Sequence, residues 1–261
     1  PDAGHIAVCG HDTVTDAAAA RAALGYMPQR FGLYEDLSVA ENLALHADLR
    51  DLPPADRPET FERLLAFTGL APFTGRLAGK LSGGMKQKLG LACVLVRRPR
   101  VLLLDEPTVG VDPISRRELW SMVQALTHAE TAVLWSTGYL DEAERCGTVL
   151  MLDGGRVLRA GPPADLTGRL EGRTWMVRGL ARDRRRVQRR AIALPGVIDA
   201  LVQGAAVRLV LDETAAPPGP LDLDEPTARV EPVPPRLEDA FVALLAGRTA
   251  PEGQARVEIE V

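Results

Sequence analysis

The sequence predicts an α/β fold in which a mostly parallel sheet carries a helical subdomain and is followed by a small C-terminal α+β unit. Three observations carry that expectation. Val101-Leu102-Leu103-Leu104 and Ala132-Val133-Leu134-Trp135 are unbroken apolar runs of strand length, the pattern of strands buried on both faces of a parallel sheet. Stretches with helical spacing precede and separate these runs, as the crossovers of such a sheet require. Past Gly161-Pro162 the texture changes to strand-like stretches at 173–178 and 206–212, a helical one at 183–194, and a Pro-rich segment from Pro217 to Pro235.

Taken in order, His5 to Cys9 is a short apolar strand followed by a polar turn with Gly10, His11 and Asp12. Residues 15–23 are Ala-rich and helical, and 25–37, with Gly25, Pro28 and Gly32, are an irregular loop. Ser38-Val39-Ala40-Glu41 has the spacing of a capping box, so a helix begins there and runs toward Arg50. Phe61, Leu64 and Leu65 form an apolar stripe on a helix that ends near Gly69. A further helix runs from Gly84 to about Val96, another from about Ser115 to Thr127, and a last one from Arg236 to Leu245. Gly247 to Gln254 is a linker, and Val257-Glu258-Ile259-Glu260-Val261 alternates with the period of a strand. There is no internal repeat.

Composition narrows the function classes. A net charge of −4 argues against a nucleic-acid partner. Cys9, Cys93 and Cys146 share no metal-type spacing and fit reduced thiols without a redox role. No apolar run approaches the roughly 20 residues that cross a bilayer.

Two segments carry chemistry. In Leu81-Ser82-Gly83-Gly84-Met85-Lys86-Gln87-Lys88 a Gly-Gly turn opens a helix. Backbone N–H groups and the helix dipole favour an anion there, and glycines let the backbone approach a phosphate. In Val101-Leu102-Leu103-Leu104-Asp105-Glu106-Pro107 an apolar strand ends in two acids. Ligands of parallel sheets sit at the carboxyl ends of strands. There a carboxylate can help hold a hard cation and a neighbouring one can polarise an attacking water. No Gly-x-x-x-x-Gly-Lys-Ser/Thr phosphate loop occurs in the 261 residues. Gly75 to Leu81 imitates one, but it has one residue too few between its glycines and Leu81 brings no hydroxyl for a metal.

Together these motifs resemble the nucleotide-binding domain of ATP-binding-cassette (ABC) transporters over roughly Pro1 to Pro162. The order is the family's: Gln29 in a loop, the Leu-Ser-Gly-Gly signature, the Asp-Glu strand end, Val109-Gly110-Val111-Asp112, then the switch loop at Trp135-Ser136-Thr137-Gly138-Tyr139-Leu140-Asp141-Glu142. The resemblance implies ATP and Mg2+ as cofactors, with Asp105 holding Mg2+ through water and Glu106 acting as general base. Gln29 would sense metal or water and relay to the membrane subunit. Ser82, Gly83, Gly84 and Met85 would face the ATP of a partner cassette across a head-to-tail dimer. Asp112 either communicates across that dimer or only caps the helix at Pro113. Met85 replaces the commonest glutamine of the signature, as in the ABC-2-type exporter branch.

Leu24-Gly25-Tyr26-Met27-Pro28-Gln29, Tyr34 to Asn42, Tyr139 to Glu144 and Pro235 to Phe241 resemble that same branch, a set of multidrug exporters. The implied domains are a partial nucleotide-binding domain at 1–162 with a helical subdomain at about 34–98, an accessory α+β domain at 163–247, and a linker with the first strand of a second cassette at 248–261. The family's phosphate loop would precede Pro1 by about one helix, which makes this the first cassette of a tandem subunit, truncated after that loop; alone it would be inactive. Its partners would be a second cassette, in the same chain or a second copy, and an ABC-2-type permease at the cytoplasmic face of the cell membrane. One departure bears on mechanism: Gly138 occupies the switch-histidine position, and none of His5, His11, His46 or His128 is placed to substitute. That leaves two expectations, an ATPase half with an impaired site of its own or a structural cassette that completes its partner's site. A ribosome-bound tandem cassette is disfavoured by Asp141-Glu142-Ala143-Glu144 and by the appendage. Arg184, Arg185, Arg186, Arg189 and Arg190 are a solvated helix face or a contact for anionic headgroups or a permease loop.

Overall fold

The computed structural model describes residues 3–30, 32–127, 131–181 and 183–247. The closing alternation at 257–261, the linker before it and His128 lie outside these residues. The chain forms two compact units that divide between Gly138 and Tyr139.

The first unit opens with a two-residue hairpin, β1 (Ala7–Val8) against β2 (His11–Asp12). The Asp12 carboxylate accepts the N–H groups of Val14 and Thr15 at 2.7 and 2.6 Å and fixes the turn into α1 (Ala17–Ala23). Next comes β3 (Leu24–Met27), paired in parallel with β4 (Val101–Asp105), which pairs in parallel with β5 (Ala132–Ser136). The irregular loop anticipated from residue 25 therefore contains a strand at its start. Gly25 disguised it. A side chain there would come within 2.6 Å of Val94 and 2.9 Å of Pro99, so the glycine marks close backbone approach inside a strand rather than a turn.

One face of this sheet is closed. Leu102 and Leu104 are 0% and 2% exposed, in a core shared with α4 (Gly83–Val94) and α5 (Pro113–Thr127). On the other face the register aligns Tyr26, Leu103 and Leu134 in one row, with Tyr26 and Leu134 51% and 52% exposed. A sheet covered on both faces was the expectation; among the described residues one face is open.

Between β3 and β4 lie α2 (Val39–Leu49), α3 (Arg57–Thr68) and α4. The capping box forms as anticipated: Ser38 Oγ accepts from Glu41 N at 3.2 Å and Glu41 Oε2 accepts from Ser38 N at 2.8 Å. Those bonds, the Ser38 hydroxyl first, hold the Glu41 carboxyl below its ordinary range. Asn42, fully buried, donates to the carbonyls of Tyr34, Leu37 and Ser38 and accepts from Tyr34 N, which fastens the preceding loop to α2. Leu43, Leu64, Leu89 and Leu91 are fully buried where the three helices meet; truncating such a leucine costs about 2–5 kcal/mol. The phosphate-loop lookalike is a single 3-10 turn, Ala78–Lys80, held by the bond from Gly79 N to Glu35 O at 2.9 Å. It follows no strand and cradles nothing.

The second unit begins with α6 (Leu140–Ala143) and the hairpin β6 (Val149–Asp153)–β7 (Arg156–Gly161), which turns at Gly154 and Gly155, both with positive φ. A Gly-Gly pair between apolar runs is a hairpin signal that the sequence reading passed over. After α7 (Pro163–Gly168) comes an antiparallel sheet of β8 (Thr174–Arg178), β9 (Val197–Gln203), β10 (Ala206–Leu211) and β11 (Arg229–Pro232), in the order β11-β8-β10-β9. Strand β9 was not anticipated. Helix α8 (Arg184–Ile192) packs on this sheet through Val187 and Ala191 and turns its arginines outward. Helix α9 (Leu237–Ala246) joins α6, β6 and α7 in a separate cluster around Leu166, Leu170 and Leu237. Arg208 of β10 grips Asp239 of α9 bidentately, at 2.8 and 2.6 Å, with both side chains 5% exposed. Such a buried pair is costly to break from one side, about 3–5 kcal/mol.

His46, in the last turn of α2, lies 3.3 Å from Gly32 O, and burial first, then Arg50, lowers its pKa below the ordinary 6.5. The folded form therefore favours the neutral ring. Its stability is fully present above about pH 6.5 and declines as pH falls below it, where the unfolded chain takes up the proton first. Thermal unfolding followed from about pH 7.5 to 5 should show this decline, and His46→Gln should flatten it; an unchanged slope in the variant would refute the assignment.

Candidate functional site

The candidate site is assembled at the carboxyl ends of the three parallel strands. β4 is apolar through Leu104, with Val101, Leu102 and Leu104 buried, so Asp105 is its first polar residue and Glu106 stands at its exit. Asp105 lies opposite Ser136, the last residue of β5, and Ser136 Oγ donates to Asp105 Oδ1 at 2.6 Å. Glu106 N donates to Ser136 O at 3.0 Å. Glu106 has a φ of +44° just before Pro107, a left-handed conformation that costs a side-chain-bearing residue about 1–2 kcal/mol. Its own carbonyl accepts from Val109 N at 3.2 Å, so hydrogen bonds on both sides hold the strained residue.

Gln29 follows β3 by two residues, and its Nε2 donates to Glu106 Oε2 at 2.7 Å. The strand end at Met27 is what delivers it. Tyr26 Oη stands 3.5 Å from Asp105 Oδ2, a long contact. Gly138, two residues beyond β5, is exposed and has no atom within 4 Å of where a Cβ would lie. A histidine would fit there without moving the backbone.

Ser82, Gly83 and Gly84 form a second group. Ser82 is the N-cap of α4, its Oγ accepting from Met85 N at 3.3 Å. Ser82 and Gly83 are exposed, whereas Gly84 is buried against the start of α5. A Cβ on Gly84 would lie 2.3 Å from Ser115 Oγ and 2.4 Å from Ser115 Cβ, so only glycine fits. Gly83 is packed closely on the Gly110 carbonyl, at 3.4 Å from a Cβ position. Asp112 caps α5: its Oδ1 accepts from Ile114 N and Ser115 N at 3.0 Å each. The Ser115 hydroxyl, then its backbone N–H, keeps the Asp112 carboxyl below the ordinary range. Asp112 thus caps α5 and stands beside the signature, its Oδ2 3.7 Å from a Cβ position on Gly84.

The structure accordingly brings Gln29, Asp105 and Glu106 together at one edge, and sets Ser82, Gly83, Gly84 and Asp112 together at the junction of α4 and α5. Three neighbours escaped the sequence reading: Ser136, Tyr26 and Ser115. Ser136 was legible as the polar end of an apolar strand parallel to β4. Tyr26 and Ser115 carry no signal without the pairing of β3 and the packing of α5. The donor set at the strand ends is all oxygen, from two carboxylates and a hydroxyl. Among the described residues no group of three or more His, Cys, Asp or Glu is set to cage a metal. The all-oxygen donor set fits Mg2+, which keeps its waters and takes one or two carboxylates plus phosphate oxygens.

Comparison with known proteins agrees with this geometry. The sequence family described as ABC transporter matches residues 1–109, a span that includes Gln29, the signature and Asp105-Glu106. The chain is 54% identical over 248 residues to the probable multidrug ABC transporter ATP-binding protein YbhF of Escherichia coli, covering 95% of this chain and 43% of that protein. It is 38% identical over 173 residues to the daunorubicin resistance ATP-binding protein DrrA3 of Streptomyces coeruleorubidus, covering 66% of this chain and 55% of that one. A solved structure of the ATP-binding subunit of an ABC transporter superposes with a TM-score of 0.58 at 29% identity, covering 65% of this chain and 71% of its own. The chain thus spans about half the length of these curated relatives. It carries an ABC-transporter ATP-binding domain close to those of multidrug ABC ATP-binding proteins.

Proposed function

We propose that this chain is a cassette of the ATP-hydrolysing subunit that energises an ABC-2-type multidrug exporter. The observation that carries the reading is the Gln29–Glu106 hydrogen bond at 2.7 Å, which joins the loop glutamine to the strand-end acid. Glu106 is the general base that takes the proton of the attacking water. Asp105, held by Ser136, supports Mg2+ through water, and Gln29 reports its state toward the permease. Mg2+, when bound, supplies charge neutralisation at the phosphates.

In this proposal Ser82, Gly83, Gly84 and Met85 address the ATP of a second cassette, in the same polypeptide or a second copy. The helix N-terminus offers N–H groups to a phosphate, and the Gly84–Ser115 contact fixes it relative to Asp112. Residues 1–162 make up the nucleotide-binding domain and 163–247 the accessory domain. No helix among the described residues is long and apolar enough to cross a membrane; the chain works at the cytoplasmic face through a separate transmembrane permease. A second reading, a structural cassette that only completes its partner's site, is favoured by one observation: no imidazole stands at Gly138.

The 261-residue chain alone holds no phosphate loop, and in a phosphate-release assay it should turn over no ATP; turnover at the pace of an intact cassette would defeat this account. In the assembled transporter, Glu106→Gln should lower ATP turnover at this cassette's own site by about 10² to 10⁴-fold, while an unchanged rate at that site would favour the structural reading. An oriented polar contact to the transition state is worth about 10² to 10³ in rate. Gly138→His should therefore raise turnover at this site by about tenfold or more, and no gain would show that the glycine does not impair it.

A further inference from the structure

A cavity of about 530 Å3 opens inside the second unit between β7, α7 and α9 and the loop after β10. Its wall is mixed in character. Leu166, Leu170 and Leu244 line it, and so do Arg159, Arg169 and Arg173. The charges in that wall are unevenly satisfied. Arg173 is engaged: its Nε donates to Leu211 O at 3.0 Å and its Nη1 lies 3.5 Å from Glu213. Asp212 is spent on its own turn, accepting from Thr214 N and Ala215 N at 2.9 and 2.8 Å. Arg159 and Arg169, by contrast, have no carboxylate partner among the described residues, and Arg159 Nε is buried without any hydrogen bond.

A buried donor left unmade costs about 1–3 kcal/mol, and a guanidinium is shaped to receive a carboxylate or phosphate through two parallel bonds. The volume and the mixed lining are those of a small-molecule site, apolar walls with a few convergent polar groups. We propose that this cavity binds an amphiphilic anion, a carboxylate or phosphate monoester on a short apolar body, with the head on Arg159 and Arg169 and the body against Leu166, Leu170 and Leu244. The site is separate from the nucleotide machinery and does not depend on the transport reading. A soluble metabolite and a membrane lipid share this chemistry.

The test is calorimetric titration of the 261-residue chain with octyl phosphate, alongside inorganic phosphate, octanol and phosphatidylglycerol vesicles. Octyl phosphate should saturate one site at least about tenfold more tightly than inorganic phosphate or octanol, about 1.4 kcal/mol. Arg159→Gln, which removes the head contact, and Leu244→Trp, which fills the cavity, should each weaken it about tenfold or more. Thermal melts check that each variant folds; Arg169→Gln, at an exposed residue, replaces the first if it does not. Vesicle binding that octyl phosphate displaces would support the site with a lipid as its source, and octyl phosphate binding without vesicle binding would support it with a soluble one. Absence of octyl phosphate binding, or binding indifferent to all three substitutions, would overturn the proposal.

Discussion

Because β4 hydrogen-bonds in parallel to β3 on one side and to β5 on the other, three chain segments leave the sheet at the same edge. Parallel strands all point one way, so the residues just past each strand end become spatial neighbours. Gln29, Asp105-Glu106 and Ser136-Thr137-Gly138 come from three distant parts of the chain, and only this pairing collects them. The apolar character of Val101 to Leu104 pins the register: slipping β4 by one residue would carry Leu102 and Leu104 out of the core and put an acid in it. The hydrogen bonds of the site are a consequence of burial a few residues earlier.

The same dependence reaches the signature through packing instead of pairing. α4 lies against β3 and α5 against β5, so the starts of the two helices are brought close enough that Gly84 and Ser115 touch backbone to side chain. Asp112, held by the N–H groups of α5, then stands next to Ser82-Gly83-Gly84. Anything that tilts α5 must therefore move the opening of α4 with it. In the second unit the Arg208–Asp239 pair has a comparable office, locking α9 onto β10 with directional bonds where the surrounding contacts are nondirectional.

Much of this was legible in the chain. Strands β4 and β5, the capped start of α2, the helix after the signature and the terminal helix arise from apolar runs and capping residues, which act locally. The acids at the end of β4 were legible as a site because their position after four apolar residues is itself the signal. The features that escaped depended on contacts between distant residues. Gly25 looks like punctuation until Val94 and Pro99 are seen to leave no room for a side chain. The Gly154-Gly155 hairpin carries a local signal between its apolar runs, whereas Val197–Gln203 mixes apolar and polar residues without strict alternation and is a strand only through its pairing with β10. The open row at Tyr26 and Leu134 could not be foreseen, since apolar runs announce burial without saying which face receives a cover. The partnership of Ser136 with Asp105 required the register of two strands that lie 31 residues apart at that pair.

Glu106 sits in a backbone conformation that suits glycine or asparagine better than glutamate. Selection for heat resistance alone would therefore pull this position toward a smaller residue and discard the carboxylate in doing so. The strain makes residue 106 a meter of what the chain is kept for. In its proposed role as general base the acid is retained against that pull wherever turnover matters, whereas thermal robustness bred without demand for turnover would let the position drift.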